Sequence, residues 1–464
     1  MTLIKSISGI RGTVGGKSED NLSPEDVLLY TASYASWLKE VSESKKLIVV
    51  IGRDARISGE MVADLVSASL ASMGINVIDL GLSTTPTVEM AVPMENADGG
   101  IIITASHNPA QWNALKLLNK QGEFISAAQG ERILEIAAAS NFSYSEVNDL
   151  GTRKIDDSYM NRHIQAILAL PNLELEAIRK RKLKVVVDAV NSSGGIFVPA
   201  LLKAMGVEDI IKIHCEPNGR FAHNPEPLAD NLKDLCAEVL STGADLGIAV
   251  DPDVDRLVFV QEDGKLFGEE YTLVAVADYV MTYKSGGAVS NLSSTRALRD
   301  VAEKHGRDYT ASAVGEVNVV EKMKSSNAAI GGEGNGGIIY PELHYGRDAL
   351  VGIALFLSHL CKWNGGAEKV STLRKAYPSY FMSKNKVQLT RSTNVDSILK
   401  QMTSKYSHER VNLIDGLKID FESEWVHLRK SNTEPIIRIY SEAMSQERAD
   451  ELAGEMVNEI VNLV

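Results

Sequence analysis

Ser106 and three aspartates, Asp251, Asp253 and Asp255, are the residues whose types and spacing are best suited to chemistry in this chain. Ser106 lies in Thr104-Ala105-Ser106-His107-Asn108-Pro109, after an aliphatic run that begins at Gly99. A strand of that kind in an α/β sheet presents its following loop to ligands, which places Ser106 as a nucleophile, although Ser, Asn and Pro also build ordinary turns. Ala105 leaves room around the hydroxyl, and Lys116 follows closely enough to supply a cation or a proton.

Asp251-Pro252-Asp253-Val254-Asp255-Arg256 sets three carboxylates on alternate residues after another apolar run. If the segment is extended, all three project to one side. Hard oxygen donors at that spacing suit Mg²⁺ or Ca²⁺ better than zinc, and the mutual repulsion of three such groups argues against a merely solvated turn. An EF-hand is the competing reading. It fails because Arg256 stands where that loop needs glycine, and Leu257 to Val260 continue as an apolar strand.

Two further segments carry polar groups in loops. Gly332-Glu333-Gly334-Asn335-Gly336-Gly337 offers one acid and one amide suited to sugar hydroxyls, and no lysine follows in the position a nucleotide P-loop requires. Arg429-Lys430-Ser431-Asn432-Thr433-Glu434-Pro435, with Arg438 on the next strand, gathers guanidinium, hydroxyl and amide donors that can hold a phosphate. Arg11, between Gly9 and Gly12, is a weaker signal of the same kind.

The elements that must position these residues follow a βα rhythm. Leu47 to Ile51 reads as a strand, Gly59 to Met73 as a helix and Ile75 to Leu80 as a second strand, and the pattern returns at Gly99 to Thr104, Lys184 to Val190 and Asp245 to Val250. Such alternation predicts α/β layers around mostly parallel sheets. Beyond Ala376 the pattern changes to strands at Trp425 to Leu428 and Ile436 to Tyr440 and an amphipathic helix at Gln446 to Leu463, the signature of a smaller α+β domain.

A length of 464 residues with 44% hydrophobic content predicts three or four domains. The net charge of −13 disfavours nucleic acid or an anionic membrane as a partner. Cys215, Cys236 and Cys361 are odd in number and far apart, which implies reduced thiols and a cytoplasmic setting. Met1 to Arg11 holds no leader-like apolar core, and Ala349 to Cys361 falls short of the ~20 residues a membrane span needs, so it is expected as a buried helix.

Taken together, these motifs resemble the α-D-phosphohexomutase family, which groups phosphoglucomutases, phosphomannomutases and phosphoglucosamine mutases. The likeness covers nearly the whole chain and preserves the family's motif order. It implies four domains around one cleft: 1–150 with a phosphoserine loop, 151–257 with a metal loop, 258–368 with a sugar loop and 369–464 with a phosphate loop. The first three would be related α/β domains with mixed, mostly parallel sheets, and the last a smaller α+β domain.

The resemblance also implies roles. Ser106 would be phosphorylated and, with Asp251, Asp253 and Asp255, would hold Mg²⁺. Arg11, Lys116, His107 and Arg256 would act around the transferring group, with Lys116 as general acid/base. Glu333 and Asn335 would read the sugar, and Arg429, Ser431, Asn432, Thr433 and Arg438 would hold the other phosphate. The implied partners are a hexose phosphate and a bisphosphorylated intermediate, met by a monomer or dimer. One departure is Gly337, where many bacterial members carry a histidine; the proton role then shifts to Lys116 or His107. The Glu-x-Asn-Gly arrangement at Glu333 to Gly336 looks more like archaeal mutases and tilts the expectation towards glucosamine phosphate over mannose or glucose phosphate. A sugar-phosphate phosphatase and a non-catalytic binding protein are the readings of a different class.

Overall fold

The β-branched runs become inner strands and the 3.6-residue patterns become the helices that cover them. The computed structural model describes residues 2–6, 9–390, 394–430 and 436–463. They form two compact units, one from Met1–Thr272 with Gly336–Leu373, the other from Leu273–Asn335 with Arg374–Val464.

The first unit contains a seven-stranded sheet in the order Ile4–Ser6, Gly9–Thr13, Trp112–Leu118, Gly99–Ile103, Ile48–Arg53, Asn76–Leu82, Arg153–Ile155. The four strands from Gly99–Ile103 onward are parallel, and Trp112–Leu118 returns antiparallel to Gly99–Ile103. This turns the Ser106 loop back on itself, so that Lys116 lies opposite Ile102 in register. A second, four-stranded sheet has the order Leu257–Gln261, Leu246–Val250, Lys184–Asp188, Asp209–Ile213. Leu246–Val250 is parallel to Lys184–Asp188 and antiparallel to Leu257–Gln261, so the acidic loop is the connection between a parallel strand and its hairpin partner. The helix Ala349–Lys362 is buried from Ala349 to Cys361, as its apolar composition requires.

In the second unit, Tyr309–Ser312, Ala288–Asn291 and Ile330–Glu333 are parallel neighbours. The C-terminal part is an antiparallel sheet, Phe381–Gln388, Ile436–Ala443, Trp425–Lys430, Leu417–Asp420, Arg410–Asn412, packed on the helix Gln446–Leu463 through Leu452, Ala453, Met456 and Ile460. The fold is therefore α/β with mixed, mostly parallel sheets and a C-terminal α+β portion. Strand ends coincide with the sequence reading or differ from it by up to three residues; the terminal helix coincides with it.

Arg11 and Lys116 reach their places through one close approach. Gly9 has φ of +110°, and a Cβ there would lie 2.3 Å from the carbonyl oxygen of Leu115. Substituting it forces the strand Gly9–Thr13 away from Trp112–Leu118. Gly9→Ala is expected to lose at least about 1–3 kcal/mol of stability, seen as a lowered midpoint in chemical denaturation.

Candidate active site

The serine loop is shaped by a buried arginine that sequence reasoning did not single out. Arg56 pairs with Asp54 at 3.0 Å, and both side chains are fully buried. The Arg56 guanidinium donates to the carbonyl oxygens of Ser106, Asn108, Pro109 and Trp112, which span the loop from Ser106 to the returning strand. Asp54 in turn accepts from Thr104 Oγ1 at 2.6 Å, and the Thr104 hydroxyl oxygen accepts from the Ser106 N–H at 2.9 Å. Burial pushes the Asp54 carboxyl up, opposed by the Arg56 charge and the Thr104 hydroxyl. Ser106 itself sits in the left-handed region at φ +49°, a strained conformation that this network holds in place. Gly52-Arg53-Asp54-Ala55-Arg56, a polar run at the end of a parallel strand, is the signal that could have found these residues.

Ser106 Oγ donates to Asp251 Oδ2 at 2.8 Å. That bond joins the serine loop to the acidic loop. The acidic loop is not extended: Val254, fully buried and β-branched, has φ of +62°, and the Val254 N–H closes a turn onto the Asp251 carbonyl at 3.1 Å. The second oxygen of Asp251 accepts from the N–H groups of Asp255 and Arg256, both at 3.1 Å, and these bonds favour the turn over the strand. The carboxylates nevertheless converge, with one oxygen from each of Asp251, Asp253 and Asp255 lying within 4.8 Å of the others.

Neighbouring segments pin the loop. Ser192 Oγ donates to the Pro252 carbonyl at 2.7 Å, the Thr85 N–H to the Asp253 carbonyl at 2.9 Å and the Ala349 N–H to the Val254 carbonyl at 3.2 Å. Thr85 Oγ1 donates to Asp253 Oδ2 at 2.6 Å, Lys116 Nζ to the same oxygen at 2.7 Å, and Arg347 Nη2 to Asp255 Oδ2 at 2.7 Å. Thr85 and Arg347 were not legible as site residues, because each is far in sequence from the loop it supports.

The charges follow from this geometry. Burial, then the charges of Asp255 and Asp253, hold the Asp251 carboxyl well above the usual range. Burial also opposes the Asp253 charge, but the Lys116 charge and hydrogen bond together with Thr85 outweigh it and hold that carboxyl low. For Lys116, burial favours the neutral amine; the Asp253 and Asp255 charges outweigh it and keep the ammonium protonated. His107 Nδ1 lies 3.4 Å from Ser106 Oγ, and burial followed by the Arg256 and Arg347 charges keeps its imidazole neutral. Arg256 is buried and reaches Glu226 at 3.2 Å, and burial lowers the Arg11 guanidinium.

A metal ion fits this cluster. Asp253 Oδ1 and Asp255 Oδ1 are buried and accept no hydrogen bond among the described residues. A donor set made of oxygens alone suits a hard divalent cation.

The remaining expected residues lie in the second unit. Glu333 is buried, and its Oε1 accepts from Asn291 Nδ2 at 2.8 Å and from the Gly315 N–H at 3.0 Å, while the Gly334 N–H donates to Ser294 Oγ at 3.0 Å. Asn335 follows in the same turn. Arg429 and Arg438 face each other directly across paired strands. Like charges so placed repel, and an anion between them relieves the repulsion. Arg429 Nε lies 2.8 Å from the Asp415 carboxylate oxygen Oδ2. Ser431, Asn432 and Thr433 lie outside the described residues.

A serine hydrogen-bonded to a buried carboxylate cluster and ringed by cations, at the ends of α/β strands, defines an enzyme of phosphoryl transfer. The chain matches "Phosphoglucomutase/phosphomannomutase, alpha/beta/alpha domain I" over residues 3–143, domain II over 161–264, domain III over 268–380 and the C-terminal domain over 386–459. It therefore belongs to the phosphoglucomutase/phosphomannomutase family. A "Phosphoglucomutase/phosphomannomutase" of Thermococcus kodakarensis is 36% identical over 446 residues, 95% of this chain and 96% of that protein. A "Phosphoglucosamine/phosphogalactosamine mutase" of Sulfurisphaera tokodaii is 33% identical over 467 residues, 98% of each. In fold, the chain is similar to a phosphoglucomutase/phosphomannomutase family protein of Burkholderia thailandensis, with a TM-score of 0.84 at 24% identity, covering 99% of this chain and 98% of that one. The activity is that of a phosphohexomutase, an isomerase-class phosphotransferase.

Two variants test the site. Arg56→Lys keeps the charge but cannot reach four carbonyls, so kcat is expected to fall at least about tenfold, the equivalent of one lost charge-assisted bond of roughly 1.5–3 kcal/mol. Steady-state kinetics alongside a denaturation curve separates this from unfolding. Asp253→Asn keeps the shape and removes a charge, so the divalent-metal midpoint should move to higher concentration in a direct binding titration.

Proposed function

We propose that this phosphohexomutase interconverts the 6- and 1-phosphates of glucosamine through a phosphorylated Ser106, with mannose or glucose phosphate as the second reading. The observation that carries the chemistry is the 2.8 Å hydrogen bond from Ser106 Oγ to Asp251, which sets the nucleophile on the acidic cluster. The sugar rests on the Glu333-Gly334-Asn335-Gly336 arrangement and on the 33% identity to a protein named for glucosamine and galactosamine phosphates.

Asp251, Asp253, Asp255 and the Ser106 phosphate would hold Mg²⁺, which when bound supplies positive charge to the transferring group. The protein does the rest. Arg56 fixes the Ser106 backbone, so the phosphoryl group is presented in one orientation to the sugar hydroxyl. Transfer breaks the bond from phosphorus to Ser106 Oγ and forms one to the sugar oxygen; the hydroxyl proton must end on Ser106. Lys116, held as the ammonium, is assigned both halves of that relay, giving a proton to Ser106 Oγ as the phosphorus bond breaks and taking the sugar hydroxyl's proton in its place; His107, neutral and adjacent, is its alternate. Arg11 and Arg256 neutralise charge on the transferring group. Glu333 and Asn335 would read the sugar, and Arg429 and Arg438, with Ser431, Asn432 and Thr433, would hold the phosphate that does not react. The bisphosphorylated sugar then returns its other phosphate to Ser106.

In the same reading the chain divides at 1–150, 151–257, 258–368 and 369–464, acts as a monomer or dimer, and works in the cytoplasm. The last point is supported by Cys215, Cys236 and Cys361, all free thiols; burial pushes Cys215 up to about 12 and Cys361 to about 11. No described helix is long and apolar enough to cross a membrane.

Turnover of glucosamine, mannose and glucose 6-phosphates on one preparation is expected to give the highest kcat/KM for glucosamine 6-phosphate. A higher value for either other sugar reassigns the substrate, and free phosphate released as fast as substrate disappears replaces the mutase with a phosphatase. Ser106→Ala should lose nearly all activity together with any phosphate detected by intact mass.

A further inference from the structure

The second unit contains a cavity of about 590 Å³ that none of the assigned chemistry uses. Its walls come from the helix Ala297–Lys304, the strand Tyr309–Ser312, the helix Glu316–Ser326 and the strands Arg410–Asn412 and Leu417–Asp420. The volume lies within the range of sites that hold small molecules.

Its side chains are cationic against the trend of a chain with a net charge of −13. Arg296, Arg299, Arg307, Lys322, Arg410 and Lys418 line it, against Glu303, Asp308 and Asp420. Some of these cations are already engaged. Arg296 lies 3.5 Å from Asp420 and donates to the carbonyls of Phe421, Glu422 and Glu424, and Lys418 donates to the Leu292 carbonyl at 2.8 Å. Arg299 has carboxylates only at 3.8 Å, from Asp300 and Glu303.

The other three differ. Among the described residues, Arg307, Lys322 and Arg410 have no carboxylate within ion-pair distance, and the buried Nε of Arg307 has no hydrogen-bond acceptor. They stand on three separate segments. Unpaired positive charges around one cavity repel one another and hold an electrostatic free energy that a multivalent anion releases. A single phosphate carries too little charge to balance three such cations, whereas a chain of phosphoryl groups carries enough for all of them. Asn412 and Thr310 on the same walls supply neutral polar groups.

We propose that this cavity is a second, non-catalytic anion site that takes a ligand bearing two or more linked phosphoryl groups, held by Arg307, Lys322 and Arg410. Such a ligand ties the strand Arg410–Asn412, at the edge of the C-terminal sheet, to the α/β layer that carries Arg307 and Lys322. Nucleotides and inorganic polyphosphate share this chemistry.

Calorimetric titration at low ionic strength with inorganic tripolyphosphate, ATP and adenosine tests the site in the full-length protein. Wild type is expected to bind tripolyphosphate. Arg307→Gln/Lys322→Gln should weaken it at least about tenfold, since two charge-assisted contacts are lost, and Arg429→Ala should leave it in place. Tighter binding of ATP than of tripolyphosphate identifies a nucleotide site; equal binding identifies the phosphoryl chain alone. Absence of binding to wild type, an affinity unchanged in the double variant, or loss in Arg429→Ala would each overturn the proposal. Lys322→Gln alone, on a half-exposed helical residue, must also weaken binding, and a circular dichroism spectrum like that of wild type keeps the comparison sound should the double variant fold poorly.

Discussion

Three carboxylates buried within 4.8 Å of one another are opposed by desolvation and by mutual repulsion at once. The surrounding first unit is organised around that opposition. Asp251 is met by the Ser106 hydroxyl and two backbone N–H groups, Asp253 by Thr85 and Lys116, and Asp255 by Arg347. The four side-chain donors, Ser106, Thr85, Lys116 and Arg347, come from four different segments, so the cluster fixes where those segments stand. Among the described residues, two of the carboxylate oxygens are left without a donor, and a metal ion bound there would complete the balance.

The serine loop is governed by the same economy of buried charge. Arg56 is an enclosed cation with one carboxylate, Asp54, and its remaining donors are spent on four carbonyls of one loop. A guanidinium is suited to this because its donors lie in a fixed plane, and an ammonium is not. The left-handed backbone at Ser106 and at Val254 is held by such contacts from other segments.

Much of this was legible in the residues. Aliphatic runs marked the strands because buried parallel strands need apolar side chains on both faces. The loops at their ends carried the polar groups, and their order carried the family likeness. What was not legible was either long-range or conformational. Arg56, Thr85 and Arg347 act on loops 50, 168 and 92 residues away, and no local spacing records such pairs. The alternate aspartates suggested extended backbone, but hydrogen bonds from the N–H groups of Asp255 and Arg256 to the Asp251 side chain turn the loop at a valine that on its own favours a strand. Around Arg429 and Arg438 the register became visible only once the two strands were paired.

The first unit is discontinuous in sequence: residues 273–335 are made before Gly336–Leu373 returns to it. Arg347, the partner of Asp255, leaves the ribosome 92 residues after it, roughly 5–20 s later at ordinary rates of elongation. Throughout that interval the nascent acidic loop lacks both Arg347 and the Ala349 N–H that anchors Val254. Completion of the first unit is thus timed by translation of a segment that belongs to the second, and a stalled or truncated chain ending before Arg347 carries Ser106, Lys116 and the carboxylates without the guanidinium that pairs with Asp255.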